Sequence, residues 1–423
     1  MGKTRILSQI HQYLLPFGFT APARLALLLL FSNLYFYLPF YVLYLQDKGL
    51  NLVQISELSI LLLLSNLLFE IPGGLLADHL SKKKILVIGL LLQLLGEIIF
   101  LQGTQFFHFA LASLIGGIHW ALHSGCLEAY LHELLDRQKQ SQRYSEALGY
   151  FGFAKSTANF IAFLGGTLIV GIWGAESFYI LIALTVFCVG LALLGMFSLP
   201  GMESIHLEED EEAHKRASNF TWLDRIGFSE ISSLSGTLIV MILLFCATQP
   251  FADSLLIMIQ PFFEERGGEV ALLGLLTAAG MAIEGLVLKQ VHVLQNRFGV
   301  ARILAGTCLF LGVGYALLSW SANAWMVAFF FLWIRSVVGV QQVLLTDQTL
   351  KLFPVHRHAT VLSIMNLGSR LYVAGGMWGI ALVAEYSIPW AFMSLAGILL
   401  VGTLLMIVIK IPQPISSPYF TQS

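Results

Sequence analysis

Gly73-Gly-Leu-Leu-Ala-Asp78-His-Leu-Ser81-Lys-Lys-Lys84 joins two long apolar segments by a turn that opens on two glycines and closes on three lysines. Phe69-Glu70-Ile71-Pro72 stands just before it, so an acid and a proline lie close to the end of the preceding apolar helix. Lysines beside a membrane span mark its cytoplasmic face. Outward from this turn, apolar runs of roughly 20 residues, the length that crosses a bilayer, recur in both directions. With 57% hydrophobic and 11% charged residues, the chain is far from the soluble range, in which about a quarter of residues are charged. It reads as an all-α membrane protein.

Apolar runs between polar turns place spans near 25–46, 55–76, 85–103, 107–128, 146–170 and 177–199, then near 236–260, 271–291, 303–321, 324–346, 360–384 and 390–410. Six and six transmembrane helices define an N-terminal bundle over 1–199 and a C-terminal bundle over 236–411, with a tail over 412–423. Between the bundles, 200–235 is the one long polar stretch, with the acidic run Glu208 to Glu212 followed by Lys215 and Arg216, and reads as a cytoplasmic linker. The basic residues fix the orientation, because Lys3, Arg24, Lys82, Arg137, Arg143, Arg302 and Lys351 all fall on one side, where both termini then lie. External loops hold only Lys48 and Arg266. The expected site is the inner (cytoplasmic) membrane. The first 23 residues lack the apolar core of a cleaved signal peptide, so the first span is expected to serve as the insertion signal.

A net charge of −2 without a long basic tract argues against nucleic acid. Cys126, Cys188, Cys246 and Cys308 lie in apolar runs without CxxC spacing, which leaves no metal or disulfide framework. Gly149-Tyr-Phe-Gly152-Phe-Ala-Lys155-Ser156 lacks the glycine before lysine that a phosphate loop needs, and it lies within a span. No cofactor is implied, and energy would come from an ion gradient or from the substrate's own.

Gly74, Leu76, Ala77, Asp78, Lys82 and Lys83 resemble the G-x-L-A-D-R-x-G-R-K loop of the major facilitator superfamily (MFS), with His79 and Ser81 in place of Arg and Gly. The resemblance implies the MFS fold, twelve transmembrane helices in two bundles, with this loop between the second and third. It also implies that Glu70, Gly74, Asp78, Lys82 and Lys83 form a conformational hinge. Glu70-Ile-Pro72-Gly73-Gly74 together with Ser124-Gly125-Cys-Leu-Glu128-Ala129 is similar to a bacterial branch with many exporters, relatives of which export polycarboxylate siderophores. Only Gly165-Gly166 remains of the fifth-span export signature. The halves repeat weakly. Setting Arg143 against Arg357 places Gly125 over Gly339 and Glu133 over Asp347, and brings Lys155 within one residue of Arg370. Transporters are built from such repeats, with the binding site between them near mid-membrane.

Charged and polar side chains inside spans are costly and mark function or pairing. They recur four apart, the spacing of one helix face: Asn33 and Tyr37, Asn66 and Glu70, Gln93 and Glu97, Lys155 and Asn159, Gln249 and Asp253, Asn366 and Arg370. Arg335 and Gln342, seven apart, also share a face. Together with His119, His123 and Glu284 these supply the expected substrate-lining set: Asn33, Tyr37, His119, His123, Lys155, Asn159, Asp253, Glu284, Arg335, Gln342, Asn366 and Arg370. At about 1.5 Å per residue, Lys155, Arg335, Arg370 and Glu284 come out near mid-membrane. Three cations against one acid favour an anionic organic substrate, unless Glu284, Asp253 or Glu97 neutralises them.

His119 and His123 have the spacing of a metal pair, but Glu128 lies on the opposite side of the helix, so cavity-lining histidines are the favoured reading. The expectation is a monomeric secondary transporter, not an enzyme, that exports a small anionic molecule in exchange for protons by alternating access. Uptake symport, multidrug export, a non-transporting receptor and an intramembrane metalloenzyme are the alternatives. Asp78→Asn should leave protein in the membrane and slow transport several-fold, measured as flux in vesicles; normal flux would remove the hinge from its assigned role.

Overall fold

The computed structural model describes residues 21–201, 236–249, 251–352 and 358–408. The Asp78 side chain, most of the 200–235 linker and the 412–423 tail lie outside the described residues. Every regular element among the described residues is a helix. This follows from the solvent: in hydrocarbon each backbone N–H and C=O must be satisfied within the protein, and a helix does this inside its own segment.

The first span is split into α1 (Ala21–Ser32) and α2 (Tyr41–Asp47), with a short 3-10 turn, Leu38–Phe40, between them. Then follow α3 (Leu52–His79), α4 (Lys82–Gln102), α5 (Phe106–Arg137), α6 (Tyr144–Trp173) and α7 (Phe178–Met196). The seventh span is again split, into α8 (Gly236–Thr248) and α9 (Ala252–Glu265). After it come α10 (Leu272–Phe298), α11 (Val300–Ser319), the pair α12 (Ala324–Arg335) and α13 (Val340–Leu352), α14 (His358–Tyr386) and α15 (Ile388–Val408). Among the described residues ten segments are long and apolar enough to cross a membrane, and the first and seventh spans, each split, complete the expected twelve.

Three spans expected to be continuous are therefore broken. The break matters for the polar faces read from spacing. Asn33 and Tyr37, Gln249 and Asp253, and Arg335 and Gln342 each straddle one. Residues share a helix face only where the helix runs through, so these three pairings do not hold, whereas Gln93 and Glu97, both buried on α4, do.

The chain forms two compact units, residues 1–50 with 61–205, and 51–60 with 206–423. The start of α3 thus groups with the second unit rather than the first. Its first turn is closed by a capping box, in which the Gln54 N–H donates to Asn51 Oδ1 (2.8 Å) and the Asn51 N–H to Gln54 Oε1 (3.1 Å). Within the second unit Glu385 accepts the Leu52 N–H at 2.9 Å. Three donors at this terminus, otherwise unsatisfied, are thereby met.

In the first unit one end is basic. Lys82, Lys83 and Lys84 open α4, although cations at a helix N-terminus oppose its dipole, so acceptors must hold them. Lys82 pairs with Glu133 at 3.3 Å, and Lys83 donates to the Leu199 carbonyl at 2.5 Å. Arg24 and Tyr130 donate to the neighbouring carbonyls of Ser198 (3.2 Å) and Pro200 (3.0 Å), so three helices hold the exit of α7. Opposite helix ends carry exposed aromatics: Trp173 and Tyr179 in this unit, and Trp320, Trp325, Tyr386 and Trp390 in the second. Interfacial aromatic belts have this pattern. Leu168, Phe187, Leu194 and Leu286 are more than half exposed along the helix flanks, as lipid-facing side chains are.

Lipid tails are as apolar as leucine, so close packing rather than apolar burial drives helix association. At Gly117 on α5 an added Cβ would lie 2.4 Å from the Leu62 carbonyl oxygen and 2.8 Å from the Asn66 nitrogen of α3, both rigid backbone. Gly117→Ala should cost about 1–3 kcal/mol, read as a lower thermal-unfolding midpoint. Gly149→Ala, with nothing within 4 Å of the added atom, should leave the midpoint unchanged or raised. Equal midpoints for the two variants would mean that the α3–α5 crossing is not held this closely.

Candidate functional site

In the first unit the polar residues converge on the break between α1 and α2. Asn33 closes the end of α1, donating from Nδ2 to the Leu29 carbonyl at 2.8 Å, so it serves the helix end. Gln93 on α4 reaches across, and its Nε2 donates to the Ser32 carbonyl at 2.8 Å and to the Tyr35 hydroxyl at 2.6 Å. From α7, Thr185 Oγ1 accepts the Phe36 N–H at 3.2 Å. Gly166 on α6 allows its helix to meet the break, because a Cβ there would stand 2.7 Å from the Phe36 carbonyl oxygen. Three neighbouring helices therefore replace hydrogen bonds and space that a continuous helix would have supplied.

One turn beyond Gln93, Glu97 is 8% exposed and accepts from the Tyr37 hydroxyl at 3.0 and 3.2 Å. Phe100 stacks on Tyr37 and Tyr41, with centroids at 5.1 and 5.7 Å, and Tyr35 meets Tyr37 edge to face. Glu97 was a candidate counter-ion for a mid-membrane cation. Instead its partner is a phenol, and among the described residues no Lys or Arg lies within ion-pair distance of it.

On α5, His119 is buried and its Nδ1–H donates to the Gly89 carbonyl at 2.8 Å, which fixes the tautomer and leaves Nε2 as an acceptor. The His119 and His123 rings are 5.3 Å apart, and Lys155 of α6 stands near enough to His123 to act on it electrostatically. Among the described residues no three His, Cys, Asp or Glu side chains converge in a metal-binding group.

In the second unit Arg335, at the last turn of α12, forms an ion pair with Glu284 of α10; their side chains are 11% and 18% exposed. Asp253, in the first turn of α9, and Tyr315 of α11 lie within electrostatic reach of the same guanidinium. Two glycines make room for the pair. A Cβ on Gly280 would lie 3.2 Å from Arg335 Cγ, and one on Gly339 would lie 2.8 Å from Glu284 Oε1. The one acid counted against the three central cations is thus the partner of Arg335. Lys155, Asp253, Gln342 and Asn366 are exposed, and Asn159 and Arg370 half-buried.

Of the hinge set, Glu70 and Gly74 are exposed on α3, while Lys82 and Lys83 are engaged inside the first unit as described. Glu133, which takes Lys82, also pairs with Arg137 at 3.9 Å. Its sequence counterpart Asp347 pairs with Lys351, the counterpart of Arg137, at 2.6 Å. The weak internal repeat therefore reappears as two equivalent (i, i+4) ion pairs. Thr185, Gly166 and Gly280 escaped the sequence reading as site residues. Only Gly166 had left a signal, as half of the Gly165-Gly166 remnant.

Spanning helices with buried ionisable groups in both units are those of a membrane transporter for small molecules. The sequence profile of the Major Facilitator Superfamily matches residues 25–377, and the chain belongs to that superfamily of secondary transporters. Multidrug resistance protein 2 of Bacillus subtilis (strain 168) is 29% identical over 145 residues, 34% of each chain, so the match spans about a third of that relative's length. Among solved structures, the nucleoside transporter NupG superposes with a TM-score of 0.73 at 13% identity, over 92% of this chain and 98% of that one. A D-xylose-proton symporter gives 0.67 at 12% identity, over 91% and 95%. At such identities the likeness is one of fold.

Removing one member of a buried ion pair strands the other charge and costs about 3–5 kcal/mol, whereas replacing both with apolar residues is often neutral. Arg335→Met and Glu284→Leu should each lower folded yield on detergent size-exclusion, and the double variant should recover most of it. A double variant no better than the singles would show that the two groups do not act as a pair.

Proposed function

We propose that the chain is a proton-coupled exporter of a small anionic organic molecule, of the polycarboxylate kind. It would work by alternating access as a monomer in the cytoplasmic membrane, with both termini inside. Its bundles would be 1–199 and 236–411, joined by the 200–235 linker, and it would carry out no chemical conversion.

Lys155 carries this reading. It lies within the fifth span, its side chain is exposed, and among the described residues no carboxylate lies within ion-pair distance of it. A cation at such a depth is stable only where it faces water or an anion. His123, within electrostatic reach of Lys155, adds a hydrogen-bonding group that a carboxylate can use.

Multidrug export is a second reading, favoured by two observations. Arg335 is neutralised by Glu284, which removes one of the cations on which the anion argument drew. The Bacillus relative is also named for multidrug resistance.

Ligand-dependent thermal stability of the purified protein separates the two. A ligand at a hundredfold excess over its Kd stabilises the native state by about 2.7 kcal/mol. Citrate-type polycarboxylates should raise the unfolding midpoint of wild type and not of Lys155→Met. Stabilisation by tetraphenylphosphonium alone, equal in both proteins, would replace the anion reading with the multidrug one.

A further inference from the structure

The break in the first span has a feature that packing does not account for. Gln93 is 4% exposed, and while its Nε2 makes two hydrogen bonds, its buried Oε1 has no partner among the described residues. A buried acceptor left unmet costs about 1–3 kcal/mol. One helical turn away, Glu97 is a buried carboxylate answered among the described residues by a neutral phenol alone. A carboxylate without a cation is the other costly state in such a place. Both defects lie on one face of α4 and both are oxygen acceptors. They stand against the end of α1, whose last carbonyls form the negative end of a helix dipole. Every one of these features is remedied by a single positive charge.

We propose that the Gln93–Glu97 face of α4 and the α1–α2 break form the coupling-cation site of this transporter. The site takes a small monovalent cation, a proton or sodium, on the Glu97 carboxylate. This rests on the reading of the chain as an ion-driven transporter. A proton on Glu97 gives the carboxyl an O–H to donate, and the unmet Gln93 Oε1 one turn away is the acceptor on offer. Sodium would take the same oxygens, those of Glu97, Gln93 and the Tyr37 hydroxyl, once the rings part. The titratable groups that face Glu97 are the hydroxyls of Tyr35, Tyr37 and Tyr41, all from the segment around the break. The helices packed on α4, namely α5 and α7, bring no charged side chain to it among the described residues. Phe100 and the tyrosines exclude water, and Gly166 and Thr185 hold the broken backbone in place. Unwound backbone and half-helix ends inside spans are places where transporters bind coupling ions.

A hydrophobic carbodiimide, which modifies protonated carboxyls in apolar surroundings, tests this on the wild-type protein. Labelling in detergent at acidic, neutral and alkaline pH, in choline or sodium chloride, is mapped by peptide mass spectrometry. Glu97 should be modified, and its modification should fall at least several-fold as the pH rises. A further several-fold loss on adding sodium at fixed pH assigns the site to sodium as well, and no sodium effect assigns it to the proton. Unmodified Glu97 at every pH, with its peptide detected, overturns the proposal, and so does modification that is the same at every pH. As a second readout, the thermal midpoint should vary with pH or sodium in wild type and lose that dependence in Glu97→Gln. A dependence retained in the variant counts against the site. Neither readout needs substrate flux, so a failed transport assay leaves the cation site standing, and an inert Glu97 leaves the transporter reading standing.

Discussion

A backbone that leaves its helix inside a bilayer has no water to turn to, and this single constraint orders the first unit around residues 33–37. Several groups freed by the break are met by particular neighbours, Asn33 and Gln93 at the α1 end and Thr185 at the Phe36 amide, while Gly166 leaves room beside the Phe36 carbonyl. Those neighbours come from α4, α6 and α7, so the interruption of one span dictates small or polar residues on three others. The aromatic shell over Glu97 is the same constraint seen from the side chains, since the Tyr37 hydroxyl donates to the carboxylate while the Tyr37, Tyr41 and Phe100 rings stack beside it.

The second unit solves a related problem with charge. Arg335 ends α12 where the tenth span breaks, and its guanidinium is met by Glu284 from the neighbouring α10, with Asp253 of α9 in reach. The pair is seated by two glycines whose side-chain space it occupies. The units thus differ in what they bury near their breaks. Among the described residues the first holds an acid with no cation in ion-pair distance, and the second a cation paired with one acid. Lys155 and Asp253 remain exposed, so neither unit has its ionisable groups wholly taken up by packing.

Much of this was written in the sequence. Span order, the basic turn at 82–84 and the internal repeat all follow from composition, length and spacing. Those signals reflect the solvent: an apolar run long enough to cross a bilayer has few other places to go. The (i, i+4) relation of Gln93 to Glu97 was legible too, because α4 runs unbroken through both residues.

What only the tertiary structure decided is who meets whom. Spacing gives a side chain its face on a helix, not the helix opposite, so the choice of Glu284 over Asp253 or Glu97 as the direct partner of Arg335 was invisible in one dimension. The breaks had left a trace, since Pro39, Pro250 and Gly339 stand in the sequence where the first, seventh and tenth spans are interrupted, but nothing local named Gln93 and Thr185 as the distant groups that meet the backbone freed around Asn33 to Tyr37. Sequence alone determined that this chain is a twelve-span, two-unit membrane protein with ionisable groups buried in both halves. Tertiary contact decided which of those charges are spent on one another, because pairing is set by distances between helices that no local period records.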